Sequence, residues 1–126
     1  VGLPRGCVDE AIELLYEYGI TPVLKDERQC GEPLHLNFLG TLHDVQAAAV
    51  AALEPHEYGV LAATTAFGKT VVGARMIAAR GCNTLILVHR SQLVDQWRER
   101  LHTFLSVTEG DIGTIGGGAA ASVRSN

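Results

Sequence analysis

Membrane-spanning and secretory signals are both missing from this sequence. No apolar stretch reaches the length of a membrane span, and no basic-then-apolar segment opens the N-terminus. No membrane partner is therefore expected. Cysteine is scarce: Cys7, Cys30 and Cys82 are odd in number and far apart. They fit neither a disulfide framework nor a metal site, which points to a reducing, intracellular and hence cytoplasmic location. His35, His43, His56 and His102 lack ligand spacing of the His-x-x-x-His kind and read as surface or packing residues. Low-complexity tracts are absent as well. With 47% hydrophobic residues in 126, the chain reads as globular, one domain or one and a half.

An excess of positive charge is lacking too. The net charge of −4 argues against a protein that coats nucleic acid. Its distribution is uneven: residues 1–58 carry ten acids and three bases, residues 59–126 four acids and seven bases. A nucleic acid, if bound, should touch the second, basic half.

The first forty residues read as a small αββ accessory segment. From Pro4 to about Tyr18, Val8, Ile12 and Leu15 share one helical face, with Asp9, Glu10, Glu13 and Glu17 opposite as a solvated face. Gly19 is placed to close that helix. Residues 20–24 and 34–38 read as extended, separated by turn chemistry around Cys30–Pro33. Thr41 and Asp44 then resemble a capping box that opens an alanine-rich helix through Leu53. A strand over 59–63 follows, then a helix to about Arg80 with Gly81 at its end. Thr84–Val88 is a continuous apolar run of the kind that lies buried in a parallel sheet. Ser91 reads as the cap of a helix through about Phe104, whose buried face holds Leu93, Val94, Trp97, Leu101 and Phe104. Asp111–Ile115 reads as a third strand, and residues 119–126 as a flexible tail. The order β-loop-α-β-α-β predicts an α/β fold, a parallel sheet with flanking helices. Ligands of such sheets bind beyond the carboxyl ends of the strands, where the loop 63–70, His89–Arg90 and Gly116–Gly117 would meet.

The residues Ala63-Thr64-Thr65-Ala66-Phe67-Gly68-Lys69-Thr70 carry the chemistry. A small-residue loop between an apolar run and a helix that opens on Lys-Thr is the context of a phosphate-binding loop. Its backbone N–H groups and the helix N-terminus would face the phosphates of ATP. Lys69 would set a cation between the terminal phosphates, and the Thr70 hydroxyl would ligate Mg²⁺.

Together with Leu85–Trp97 and the helix bearing Gln46, this loop resembles the first RecA-like domain of superfamily 2 helicases, in the XPB-like and type III restriction-subunit branch. Ala63, Thr65, Gly68, Lys69 and Thr70 match the loop pattern Ala-x-Thr-Gly-x-Gly-Lys-Thr. The resemblance covers about residues 41–118, a partial RecA-like ATP-binding domain. It implies an adenine contact for Gln46. It implies nucleic-acid backbone contacts for His89, Arg90, Gln92, Gly116 and Gly117. On residue chemistry alone Gln46 is a polar residue on an alanine-rich helix, and Arg90 is the strongest phosphate contact of its group. Trp97 has core spacing rather than that of a base-stacking platform.

Two departures stand out. Ala66 occupies a position where the family has glycine, and a positive φ there would strain alanine. The sequence also ends before any Asp-Glu-x-His motif or second RecA-like domain with its arginine finger. The resemblance thus implies the ATP-binding N-terminal portion of a DNA helicase or translocase, acting on single strands or duplex and inactive in hydrolysis by itself. The alternative is a free-standing nucleotide-binding regulatory module without ATPase activity.

Overall fold

A computed structural model of the protein describes residues 2–27 and 31–116. Cys30, Gly117 and the 119–126 tail lie outside these residues. Among the described residues, the regular structure is entirely helical. It comprises α1 (Val8–Glu17), α2 (Asp44–Leu53), α3 (Lys69–Arg80) and α4 (Ser91–Phe104), with 3-10 turns at Arg5–Cys7, Thr65–Phe67 and Glu109–Asp111.

Each helix ends where local chemistry ends it. Helix α1 closes in a Schellman arrangement: Gly19, at φ 70°, donates its N–H to the Tyr16 carbonyl at 3.0 Å, and Ile20 donates to Leu15 at 2.8 Å. Gly81, at φ 57°, closes α3 and donates to Ile77 at 3.1 Å. Helix α4 stops where Leu105 turns extended. The start of α2 differs from expectation. The helix begins at Asp44, three residues after Thr41, with His43 as its N-cap. The Gln46 side chain reaches back to the His43 N–H at 3.0 Å, a task the sequence pattern assigned to Asp44. The start of α4 differs by one residue, with Arg90 as N-cap and Ser91 already helical.

The core lies between α3 and α4. Ala74, Leu101 and Leu105 are buried together, with Ile77, Ala78, Trp97 and Phe104 packed around them. Gly73 admits the Trp97 ring, because a Cβ there would lie 2.8 Å from Trp97 Cη2. Residues 32–39 form a strap across the far ends of both helices. Leu34 donates its N–H to Gly81 O at 2.7 Å and Asn83 donates to Glu32 O at 3.0 Å. Farther along, Leu39 donates to Phe104 O at 2.8 Å and Ser106 to Asn37 O at 3.1 Å. The Phe38 and Phe104 rings stack there at 6.3 Å. One short extended segment therefore touches the C-terminal ends of α3 and α4. The two helices run parallel, and their N-termini share the opposite end. Residues 82–90 make the return trip along α3, which spans about 18 Å at 1.5 Å per residue.

The expected α/β fold is not what the chain adopts. Neither a parallel sheet nor the two strands of the accessory segment form among the described residues; their pairing includes isolated antiparallel bridges, Pro33 with Cys82 and Phe38 with Leu105. The physical reason is visible along Thr84–Val88. Ile86 packs on the helices, but Leu85 is 73% and Leu87 84% exposed. Helices cover one side of the segment only. A parallel strand needs neighbours at both edges and cover on both faces. The segment at 59–63 is in the same position, with Val60 91% exposed. At the third expected strand, the Asp111 carboxylate accepts the Thr108 N–H at 2.7 Å and folds the chain into a 3-10 turn instead.

No helix among the described residues is long and apolar enough to cross a membrane.

Candidate functional site

The Ala63–Thr70 loop is a 3-10 turn joined to the start of α3. The Phe67 N–H donates to Thr64 O at 3.3 Å to close the turn. Gly68 follows in the left-handed region, at φ 85° and ψ 40°, and serves as the N-cap of α3. The N–H groups of Val71 and Val72 both donate to Gly68 O, at 2.9 and 3.3 Å. A helix leaves its first N–H groups without acceptors of its own. The first turn of α3 carries no acid, so the helix itself does not offset the partial positive charge there.

Three side chains define the loop's surroundings. Gln46 of α2 is buried, at 5% exposure. Its Oε1 accepts from His43, and its Nε2 donates to Phe67 O at 2.8 Å. Its amide therefore braces the loop from beneath. Lys69 bends back so that Nζ donates to the carbonyls of Ala63 and Thr64, both at 2.7 Å. Thr70 is half-buried at the second position of α3. Ala66 is exposed within the 3-10 turn, and among the described residues no position other than glycine has positive φ. The strain anticipated for alanine does not arise. Gly68 is the residue that needs the unusual backbone, and a Cβ there would also lie 2.6 Å from Gln46 Nε2.

His89 and Arg90 are exposed at the end of the return segment, and Gln92 is exposed in the first turn of α4. Because α3 and α4 run parallel, these residues lie at the same end of the helix pair as the loop. Gly116 is exposed at φ 104° with open space where a side chain would be. Gly117 lies outside the described residues. The segment leading to Gly116 is tied to the middle of α4, where Arg98 Nη2 donates to Thr114 Oγ1 at 2.8 Å.

Arg98 belongs to a polar cluster that the sequence did not reveal. Its Nη1 lies 3.2 Å from Glu109 Oε2, while His102 Nε2 lies 3.2 Å from Glu109 Oε1. The Thr108 backbone N–H, followed by the Thr108 hydroxyl, holds the Asp111 carboxyl below its ordinary value. The only advance signal was the spacing of Arg98 and His102 by one helical turn, which any solvated helix face can show. Nor does the sequence pattern show Gln46 as a helix cap, because histidine is an uncommon N-cap.

Known proteins give the family. The model of the type III restriction enzyme, res subunit, matches residues 39–124. The chain is 36% identical over 105 residues to the putative DNA 3'-5' helicase Rad25 of Haloarcula marismortui, covering 82% of this chain and 17% of that protein. It is 38% identical over 77 residues to the DNA 3'-5' translocase XPB2 of Sulfurisphaera tokodaii, covering 61% of this chain and 17% of the other. With the DNA 3'-5' helicase XPB of Mycobacterium tuberculosis it shares 37% over 76 residues, covering 60% and 14%. The chain thus spans about 17% of the length of the first relatives it matches. No solved structure matches it. Matched over well more than half its length, the chain belongs to the family of the type III restriction enzyme res subunit, among superfamily 2 proteins of the XPB and Rad25 type.

Proposed function

We propose that the Ala63–Thr70 loop binds the phosphates of ATP with Mg²⁺, and that the chain is the ATP-binding portion of a DNA helicase or translocase. One observation carries this reading: a loop turned by left-handed Gly68 into an acid-free helix N-terminus, with the Lys69 ammonium lying over it. That arrangement suits a polyanion, because a helix N-terminus presents N–H dipoles and Lys69 supplies a cation on a flexible stem beside it. Lys69 would contact the terminal phosphates, the Thr70 hydroxyl would ligate Mg²⁺, and the backbone from Ala63 to Gly68 would line the site. The nucleotide supplies a phosphoanhydride whose cleavage powers movement along DNA. Gln46 holds the loop's base through its bonds to His43 and Phe67, and an adenine contact would have to replace one of them. His89, Arg90, Gln92 and Gly116, with Gly117, would contact the backbone of single-stranded or duplex DNA, Arg90 most strongly. The named relatives are DNA helicases and translocases, which favours DNA and an intracellular setting.

Hydrolysis needs an acid that orients water near the phosphates. Glu109 is engaged by Arg98 and His102, and Asp111 by Thr108. Both lie beside the C-terminal half of α4, away from the loop end. We therefore expect ATP binding without turnover. Calorimetric titration of ATP with Mg²⁺ into the natural chain and Lys69→Ala tests the assignment. The variant should lose most of its affinity, and equal affinities would sink the phosphate site. Phosphate release above about 1 s⁻¹ that Lys69→Ala abolishes would show a complete ATPase instead.

A further inference from the structure

The chain after α4 folds back along that helix, and its contacts give the direction. Val107 O lies 3.4 Å from His102 Nδ1. Glu109 reaches both His102 and Arg98, each at 3.2 Å. Thr114 Oγ1 accepts from Arg98 Nη2 at 2.8 Å. As the residue number rises from 107 to 114, the partner on α4 falls from 102 to 98. The segment therefore runs from the C-terminal end of α4 toward its N-terminal end, where Arg90 and Gln92 stand. Gly116 follows Thr114 after one intervening residue, a reach of at most about 7 Å. Gln92 lies about 9 Å along α4 from Arg98.

We propose that Arg98 is a positioning residue for nucleic acid: its guanidinium fixes the segment ending at Gly116 against α4, so that Gly116, Arg90 and Gln92 meet the DNA backbone as one surface. This deepens the DNA-contact reading and rests on it. The two terminal nitrogens of Arg98 hold both ends of the 109–114 segment, and Ile112 between them packs on the core. A planar guanidinium is pre-shaped for two partners at once. Gly116, at φ 104°, has open space around it and no side chain to anchor it, so its placement depends on Thr114. Arg98 itself is a poor phosphate contact. Glu109 pairs with it, and Asp95 and Glu99 line the same shallow groove, so a phosphate is repelled there. The influence of Arg98 on DNA passes through Thr114.

The test measures binding of a fluorescein-labelled single-stranded oligodeoxynucleotide to the full chain over a range of salt concentrations. Thr114→Val removes the hydroxyl and no charge, while Arg98→Lys keeps the charge and loses the fork. Each should weaken binding about fivefold, the equivalent of one hydrogen bond, with the salt slope unchanged. The double variant should bind no more weakly than either single one, because both act through the same bond. In both single variants the Gly116 amide should gain mobility in ¹⁵N relaxation. The Leu105 amide, bonded to Leu101 O at 2.8 Å, reports intact folding by hydrogen exchange. Natural affinity in Thr114→Val despite a loosened Gly116 would overturn the positioning role, and so would Gly116 relaxation that neither variant changes. Arg98→Gln gives a further measurement. A salt slope lowered by about one in Arg98→Gln, with natural affinity in Thr114→Val, would make Arg98 a direct phosphate contact instead. A natural chain that binds no oligonucleotide even at low salt would overturn the DNA reading, and the role of Arg98 with it.

Discussion

At the scale of single residues, the loop depends on two side chains and one missing side chain. Gly68→Ala would force alanine to φ 85°, a strain of about 1–2 kcal/mol. Its Cβ would also press on Gln46 Nε2 from 2.6 Å and displace the bond to Phe67 O, worth about 1 kcal/mol more. We expect a loss of about 2–3 kcal/mol in urea unfolding. A variant as stable as the natural chain would mean that Gly68 is not held in the left-handed region. Ala66 illustrates what a pattern comparison can and cannot deliver. The strain expected at Ala66 does not occur, and the positive φ belongs to Gly68, two residues later. Sequence shows which positions carry glycine; the backbone angle at its neighbours depends on the turn the chain selects. Gln46 was legible as a residue of interest, whereas its burial beneath the loop required the fold.

At the scale of elements, helices were legible and strands were not. The helical spacing of Val8, Ile12 and Leu15 and of Leu93, Val94, Trp97, Leu101 and Phe104 falls on observed helices, though α1 buries none of its residues, because helical hydrogen bonds are satisfied within the segment itself. A strand's hydrogen bonds come from another segment, so an apolar run such as Thr84–Val88 shows only that it can pair. The α3–α4 contact gives a test of this scale. Gly73→Val would push two methyl groups into Trp97, where even one Cβ lies at 2.8 Å, with an expected cost of about 1–3 kcal/mol. Adding Trp97→Leu should recover part of that loss, since the two sites couple through direct contact. Strictly additive effects would contradict the packing. The Thr108–Asp111 turn yields a pH prediction. Its carboxyl is held below the ordinary 3.8, chiefly by the Thr108 N–H. The turn's stabilisation is therefore complete above the unfolded value and is lost as pH falls through the lower, folded value. A carboxyl ¹³C titration should place the Asp111 midpoint below 3.8; a midpoint above it would remove the turn's hydrogen bonds from the account.

At the scale of the whole molecule, α2, α3 and α4 pack in sequence, and several apolar residues of the extended segments between them stay exposed. Exposed apolar groups such as Val60, Leu85, Leu87 and Ile115 favour association in water where they cluster. Their apolar pattern is what made a parallel sheet the natural expectation, and their exposure is what overturns it. The two arrangements differ in a measurable way. Were Leu85 and Leu87 buried in a sheet, changing both to threonine would cost at least about 2 kcal/mol, as large core substitutions do. At 73% and 84% exposure, the double change Leu85→Thr, Leu87→Thr should move unfolding stability by about 0.5 kcal/mol or less. It should also lower concentration-dependent self-association in sedimentation experiments, because it removes two strongly exposed apolar groups. Threonine suits an extended backbone, so a large loss could not be blamed on local propensity. A stability loss of about 2 kcal/mol or more in the monomeric chain would mean that these leucines are covered by protein.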